Sequence, residues 1–199
     1  MTNFRKIGIL GGTFNPVHKG HIHLAQIFSD ELCLDRILVI PTNIPPHKSA
    51  DNIVENHHRL NMLKLAFGEH NNIEISDIEL NKDGKSYTID TLMILKQKYP
   101  DDALYLLVGG DMFLYFDKWR DYKKILSLCT VCTAPRQDDE YEKLLAYQNV
   151  LDPEHKNTII LNSNVISVSS SEIRNNTDST LIPEKVKEYI IQKGLYNNG

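Results

Sequence analysis

The fold turns on Ile7-Gly8-Ile9-Leu10-Gly11-Gly12-Thr13-Phe14-Asn15-Pro16-Val17-His18-Lys19-Gly20-His21. Its opening residues are a short apolar run of the kind a strand buried on both faces of a parallel sheet requires. Glycines follow at once, and a helical pattern then runs over 18–32. A strand that delivers a glycine turn onto a helix start suits phosphate, because glycine lets backbone approach an anion closely and the unpaired N–H groups of the first helical turn bind it. The spacing is neither G-x-G-x-x-G nor G-x-x-x-x-G-K-[ST], which sets aside a dinucleotide fingerprint and a Walker loop.

In their place stands His18-x-Gly20-His21, two imidazoles three residues apart that share one face of a helix start and can donate to one ligand. A lone histidine there would be read as a cap or a packing residue. A pair behind a glycine turn, at the carboxyl end of a strand, is better read as a phosphate clamp. A metal site including His23 is the weaker option, since no nearby carboxylate or thiolate completes it. A second segment, Val165-Ile166-Ser167-Val168 leading into Ser169-Ser170-Ser171-Glu172-Ile173-Arg174, again reads as a strand feeding a helix N-terminus. Serine hydroxyls there cap, and an arginine can fork onto phosphate oxygens. With the first motif it forms the opposite jaw of a polyphosphate site.

Strand-like runs alternate with helical patterns along most of the chain. Strands are expected at 6–10, 37–40, 73–78, 104–108, 130–134, 158–161 and 165–168. Helices are expected at 18–32, after the loop 41–51 with Leu60, Leu63 and Phe67 on one face and Gly68 as cap, at 88–98, and at the end of the chain with Val186 and Ile190 inward. This alternation predicts an α/β fold: a Rossmann-like, doubly wound parallel sheet with helices on both faces, in one domain over 1–199. The 104–108 run passes straight into Gly109-Gly110-Asp111, and the carboxyl ends of strands are where ligands sit in such sheets.

The 199 residues are 41% hydrophobic with a net charge of −4, and the absence of any basic stripe argues against nucleic acid or an anionic membrane as partner. No run could span a bilayer, no secretory h-region is evident, and three cysteines cannot all pair, so a cytoplasmic, reducing setting is expected. Cys129-x-x-Cys132 lies in an apolar strand whose alternation sends the two sulfurs to opposite faces, which fits buried packing rather than metal or redox chemistry.

Taken together, the segments resemble the HxGH nucleotidylyltransferases, and within them the bacterial nicotinate mononucleotide adenylyltransferases, nearly end to end. The superfamily resemblance rests on Gly11 to His21 and on Val168 to Arg174. The narrower one rests on Pro41-Thr42-Asn43-Ile44-Pro45-Pro46-His47-Lys48, Ser86-Tyr87-Thr88-Ile89-Asp90-Thr91-Leu92, Gly109-Gly110-Asp111-Met112-Phe113 running on to Trp119, and Tyr189-Ile190 to Gly194-Leu195-Tyr196. Departures are Asn15 where aspartate is commoner, Gly110 where alanine is commoner, and Pro135-Arg136-Gln137-Asp138 without the usual glycine.

The resemblance implies that ATP and nicotinate mononucleotide give deamido-NAD and pyrophosphate, a step of NAD biosynthesis. It implies His18 and His21 on the ATP phosphates, with Gly11, Gly12, Thr13, Phe14 and Gly20 forming the backbone cradle. Lys48 and Arg174 would hold the remaining phosphate charge, beside Ser170 and Ser171. For the acceptor it implies Asp111 on ribose hydroxyls, Asn43 near the phosphate, and Thr88 with Trp119 around the pyridine ring. The attacking phosphate monoester, with a second pKa of about 6, is already largely ionised near neutrality and needs no general base. Magnesium would travel mainly on the ATP phosphates, with no protein metal site. Rival readings are nicotinamide mononucleotide or phosphopantetheine as acceptor, or a nucleotide sensor that has lost turnover. The oligomeric state, homo-oligomers included, is left open.

Overall fold

A computed structural model describes residues 4–46, 53–137, 139–163, 166–175 and 179–196. Its strands are β1 (Lys6–Gly12), β2 (Arg36–Pro41), β3 (Ile73–Ile75), β4 (Ala103–Leu107), β5 (Thr130–Thr133) and β6 (Thr158–Ile160). Its helices are α1 (Lys19–Leu32), α2 (Asn56–Phe67), α3 (Thr88–Lys98), α4 (Gly110–Phe113), α5 (Tyr122–Leu128), α6 (Glu140–Leu151), α7 (Ser170–Asn175) and α8 (Glu184–Lys193). A short 3-10 turn, Phe116–Lys118, follows α4.

All strands pair in parallel in the order β3-β2-β1-β4-β5-β6. The expected doubly wound sheet is therefore present. The chain runs outward from β1 in one direction and, after β3, crosses back to β4 beside β1. That reversal opens the crevice outside the carboxyl ends of β1 and β4, the position where open α/β sheets bind ligands.

Alternation along the strands divides the core in two. Leu10, Ile37, Val39, Leu107 and Cys132 face α1, α2, α7 and α8, whereas Ile7, Ile9, Leu38, Ile40, Leu104, Leu106 and Val131 face α3, α4, α5 and α6. Cys129 and Cys132 fall in these two separate clusters, as strand alternation predicts, and burial pushes both thiols well above the ordinary range. Gly8 is required for packing, because a Cβ there would lie 2.8 Å from Leu34 Cδ1. The closing helix is followed by Gly194 in the left-handed conformation, while Pro183, expected in its first turn, is instead the residue that caps its start.

Several expectations need correction. The strand expected over 73–78 stops at Ile75. Of the strand expected over 165–168, Val165 lies outside the described residues and 166–168 belong to no strand; there Ile166 donates its N–H to His23 Nδ1 and Val168 packs into the core. Gly68 caps α2 as expected, in a right-handed conformation. The buried stripe of α2 is Arg59, Met62, Leu63 and Phe67, with an arginine where Leu60 was expected. No described helix is long and apolar enough to cross a membrane.

Candidate functional site

β1 ends at the crevice in Gly11 and Gly12, and the two glycines serve different ends. A Cβ on Gly11 would meet nothing within 4 Å, so the backbone there borders open space. A Cβ on Gly12 would lie 3.0 Å from the ring of Phe14, which folds back over the turn at φ 48° and is wholly buried. The bond from Asn15 to Pro16 is cis.

The chain then enters α1 with His18 as the capping residue rather than inside the first turn. The backbone N–H of His18 donates to Nδ1 of His21 at 3.2 Å, and the two rings stack with centroids 3.7 Å apart. The shared face expected for the pair is present. His18 is only 4% exposed, and its Nδ1 has no hydrogen-bond partner among the described residues. Burial lowers its pKa to about 4, the Arg136 guanidinium adds to the shift, and the Glu172 carboxylate opposes it. At neutral pH His18 is an uncharged imidazole able to donate one hydrogen bond. Gly20 is dictated by contact: a Cβ there would stand 2.6 Å from Val168 Cγ1 and 3.0 Å from His18 Nδ1.

The second motif closes on the first. Ser170 donates its hydroxyl to the Pro16 carbonyl at 3.0 Å, and Arg174 Nη1 donates to the Asn15 carbonyl at 2.8 Å. Arg174 Nη2 reaches Ser171 Oγ at 3.1 Å. The Asn15 side chain is itself a junction, its Oδ1 accepting from the Val54 N–H at 3.2 Å and the Tyr196 hydroxyl at 2.8 Å.

The candidate acceptor residues lie at the ends of β2 and β4 and the start of α3. Asn43 donates through Nδ2 to the Lys82 carbonyl at 2.8 Å and accepts at Oδ1 from Asn56 at 2.7 Å. Its backbone N–H reaches Ser86 Oγ at 3.1 Å, which brings its loop beside the turn leading to Thr88 at the start of α3. Asp111, in the first turn of α4, pairs with Arg136 at 2.8 Å, and that guanidinium is the one acting on His18. Trp119 is half-buried against Phe116 with ring centroids 5.0 Å apart, and its indole nitrogen is buried without a partner among the described residues. Lys48 lies outside the described residues.

Two residues of the site escaped sequence reading. Arg59 donates to the Thr13 carbonyl at 2.8 Å and to Asn56 Oδ1 at 2.5 Å. The available signal was its spacing of three and four residues from Met62 and Leu63, which places it on the inward face of α2. Glu79 is a buried carboxylate that accepts from Thr91 Oγ1 at 2.7 Å, and burial raises its pKa against the hydroxyls of Thr91, Ser86 and Thr42. Nothing in its local sequence marks it.

Among the described residues no three His, Cys, Asp or Glu side chains are grouped as a metal site. His18 stands at the start of α1, and Arg174, in the last turn of α7, reaches back to the Asn15 carbonyl.

A parallel sheet ordered 3-2-1-4-5-6 with helices on both faces defines a Rossmann-like α/β protein. A family model described as cytidylyltransferase-like matches residues 9–176, and the chain belongs to that family. It is 36% identical over 199 residues to the nicotinate-nucleotide adenylyltransferase of Bacillus subtilis, across 98% of this chain and 100% of that one. It is 38% identical over 210 residues to the Shewanella frigidimarina protein named "Probable nicotinate-nucleotide adenylyltransferase", across 96% and 99% of the two chains. The fold matches that of the Plasmodium falciparum nicotinic acid mononucleotide adenylyltransferase complexed with NaAD, with a TM-score of 0.81, 22% identity and 98% of each chain covered.

Proposed function

We propose that this protein transfers the adenylyl group of ATP to nicotinate mononucleotide, giving deamido-NAD and pyrophosphate, as a cytoplasmic enzyme of NAD biosynthesis. The observation that carries the reading is the closure of one jaw on the other: Arg174 and Ser170 bind the Asn15–Pro16 turn while His18 and His21 cap the facing helix. Full-length relatives at 36–38% identity bear the name of this activity.

The acceptor phosphate attacks the α-phosphorus of ATP, forming the P–O bond of the new pyrophosphate link as the bond to the β-phosphate oxygen breaks. The acceptor phosphate arrives as its own nucleophile, so the protein need only hold the partners in line and neutralise charge on the departing pyrophosphate. Gly11 gives the triphosphate room, and the neutral His18 and its partner His21 donate to phosphate oxygens. Arg174, with Lys48, supplies positive charge; Ser170 fixes the start of α7 against the turn, and Ser171 accepts from Arg174. Magnesium would be held mainly by the triphosphate oxygens, where it would offset charge that His18, His21 and Arg174 do not. Asp111 addresses the acceptor ribose, Asn43 the acceptor phosphate, and Thr88 and Trp119 the pyridine ring.

Pyrophosphate release with ATP and magnesium, measured separately with nicotinate mononucleotide, nicotinamide mononucleotide and phosphopantetheine, tests the acceptor. Release with nicotinate mononucleotide at a kcat/KM at least tenfold above the others supports the proposal. Equal or greater release with another acceptor overturns it.

A further inference from the structure

Arg59 is fully buried, and among the described residues no carboxylate lies within ion-pair distance of its guanidinium. Burying a cation without a counter-charge is costly, and a well-packed apolar side chain of similar volume is often the more stable choice. Stability therefore does not account for an arginine at the core-facing position of α2. What the guanidinium touches does. Nη1 donates to the carbonyl of Thr13, in the turn that cradles the triphosphate, at 2.8 Å. Nη2 donates to Asn56 Oδ1 at 2.5 Å and reaches the carbonyl of Asn43 at 3.5 Å. Asn56 in turn donates to Asn43 Oδ1 at 2.7 Å. One rigid fork thus spans the donor turn after β1 and the acceptor loop after β2, and Asn56 extends its reach to the Asn43 side chain.

We infer that Arg59 is a positioning residue for adenylyl transfer, a strut that sets the ATP turn and the acceptor loop in one register so that the two phosphates meet in line. The inference rests on the adenylyl-transfer reading above. In-line attack depends on sub-ångström placement of the two partners, and a misplacement of about 1 Å costs roughly a hundredfold in rate. The planar guanidinium has separate donors fixed at the angle the two segments require. A lysine ammonium carries the same charge on one nitrogen and lacks the fixed fork whose separate nitrogens meet Thr13 and Asn56.

The test compares the wild type with Arg59→Lys, Arg59→Gln and Asn56→Ala, measuring kcat and the KM of each nucleotide well below the melting temperature of each variant. The wild-type rate stands first: no transfer by the wild type would sink the adenylyl-transfer reading and this role with it. With an active wild type, Arg59→Gln is expected to lower kcat at least tenfold and to raise both KM values, with Arg59→Lys restoring only part. Asn56→Ala, which cuts only the acceptor end of the strut, is expected to raise the acceptor KM severalfold and leave the ATP KM unchanged. A purely structural arginine would reduce the folded fraction and leave both KM values at wild type, and that result for a folded Arg59→Gln overturns the inference. If Arg59→Gln does not fold, a wild-type acceptor KM in Asn56→Ala overturns it instead.

Discussion

Arg174 donates to the backbone carbonyl of Asn15 at 2.8 Å across 159 residues of sequence, so the last helix of the site is bolted to the first turn. Neither motif makes a polyphosphate site alone. Hydrogen bonds involving a charged group contribute about 1.5–3 kcal/mol. Arg174→Lys keeps the charge but loses the fork that reaches both Asn15 and Ser171. The expected outcome is a fall in kcat/KM for ATP of roughly ten- to a hundredfold. Steady-state kinetics at saturating acceptor read this directly; an unchanged value would detach Arg174 from the site.

The glycines of the first motif separate by experiment. Gly11→Ala meets no protein atom, so it is expected to keep the wild-type melting temperature while weakening ATP binding. Gly20→Ala drives a Cβ to 2.6 Å from Val168 and is expected to destabilise the fold by about 1–3 kcal/mol. Adding Val168→Ala should return part of that loss. Calorimetry on the two single variants and the double variant checks the contrast; equal melting temperatures for the two single variants would contradict it.

His18 sets an acid limit on stability. Its folded pKa of about 4 lies below the ordinary histidine value of 6.5, chiefly through burial and then through Arg136. Between those values the unfolded chain binds more protons than the folded one, so stability rises with pH. The contribution of the neutral ring is fully present above about 6.5 and is lost as pH falls toward about 4. The ligand-free wild type is expected to lose more stability across that window than His18→Asn. Denaturant titrations at several pH values test this, and parallel curves would refute it.

Asp111 and Arg136 form a pair whose side chains are 58% and 32% exposed, and such pairs contribute about 0–1 kcal/mol. Asp111→Asn should therefore leave the melting temperature almost unchanged. If Asp111 binds the acceptor ribose, the same substitution raises the acceptor KM about tenfold or more, since it removes a charged acceptor of hydrogen bonds. A shift in melting temperature without a change in KM would assign Asp111 a structural task.

The sheet was legible in the sequence because parallel strands buried on both faces read as unbroken apolar runs, as in Ile37 to Ile40 and Leu104 to Leu107. The helices between 110 and 151 were not, although the strand at 130–133 was. α4 and α5 are too short for helical periodicity to register, and α6 commits only Leu144 and Gln148 to full burial. Val168 was read as strand because branched apolar residues suit both a pleat and an extended loop that packs on a glycine, and local composition does not separate the two. The site was legible where glycine and histidine chemistry is concentrated in one stretch. It was illegible at Arg59 and Glu79, because a lone charged residue reads as solvent-facing until the fold buries it.

Group transfer at the α-phosphorus is read by following the label from ATP carrying ³²P at the α-position, incubated with magnesium and nicotinate mononucleotide. The predicted result is label in deamido-NAD and none in pyrophosphate, with the rate lowered about a hundred- to a thousandfold by His18→Ala through loss of one preorganised donor. Label that stays in ATP, or appears only as AMP, would contradict adenylyl transfer.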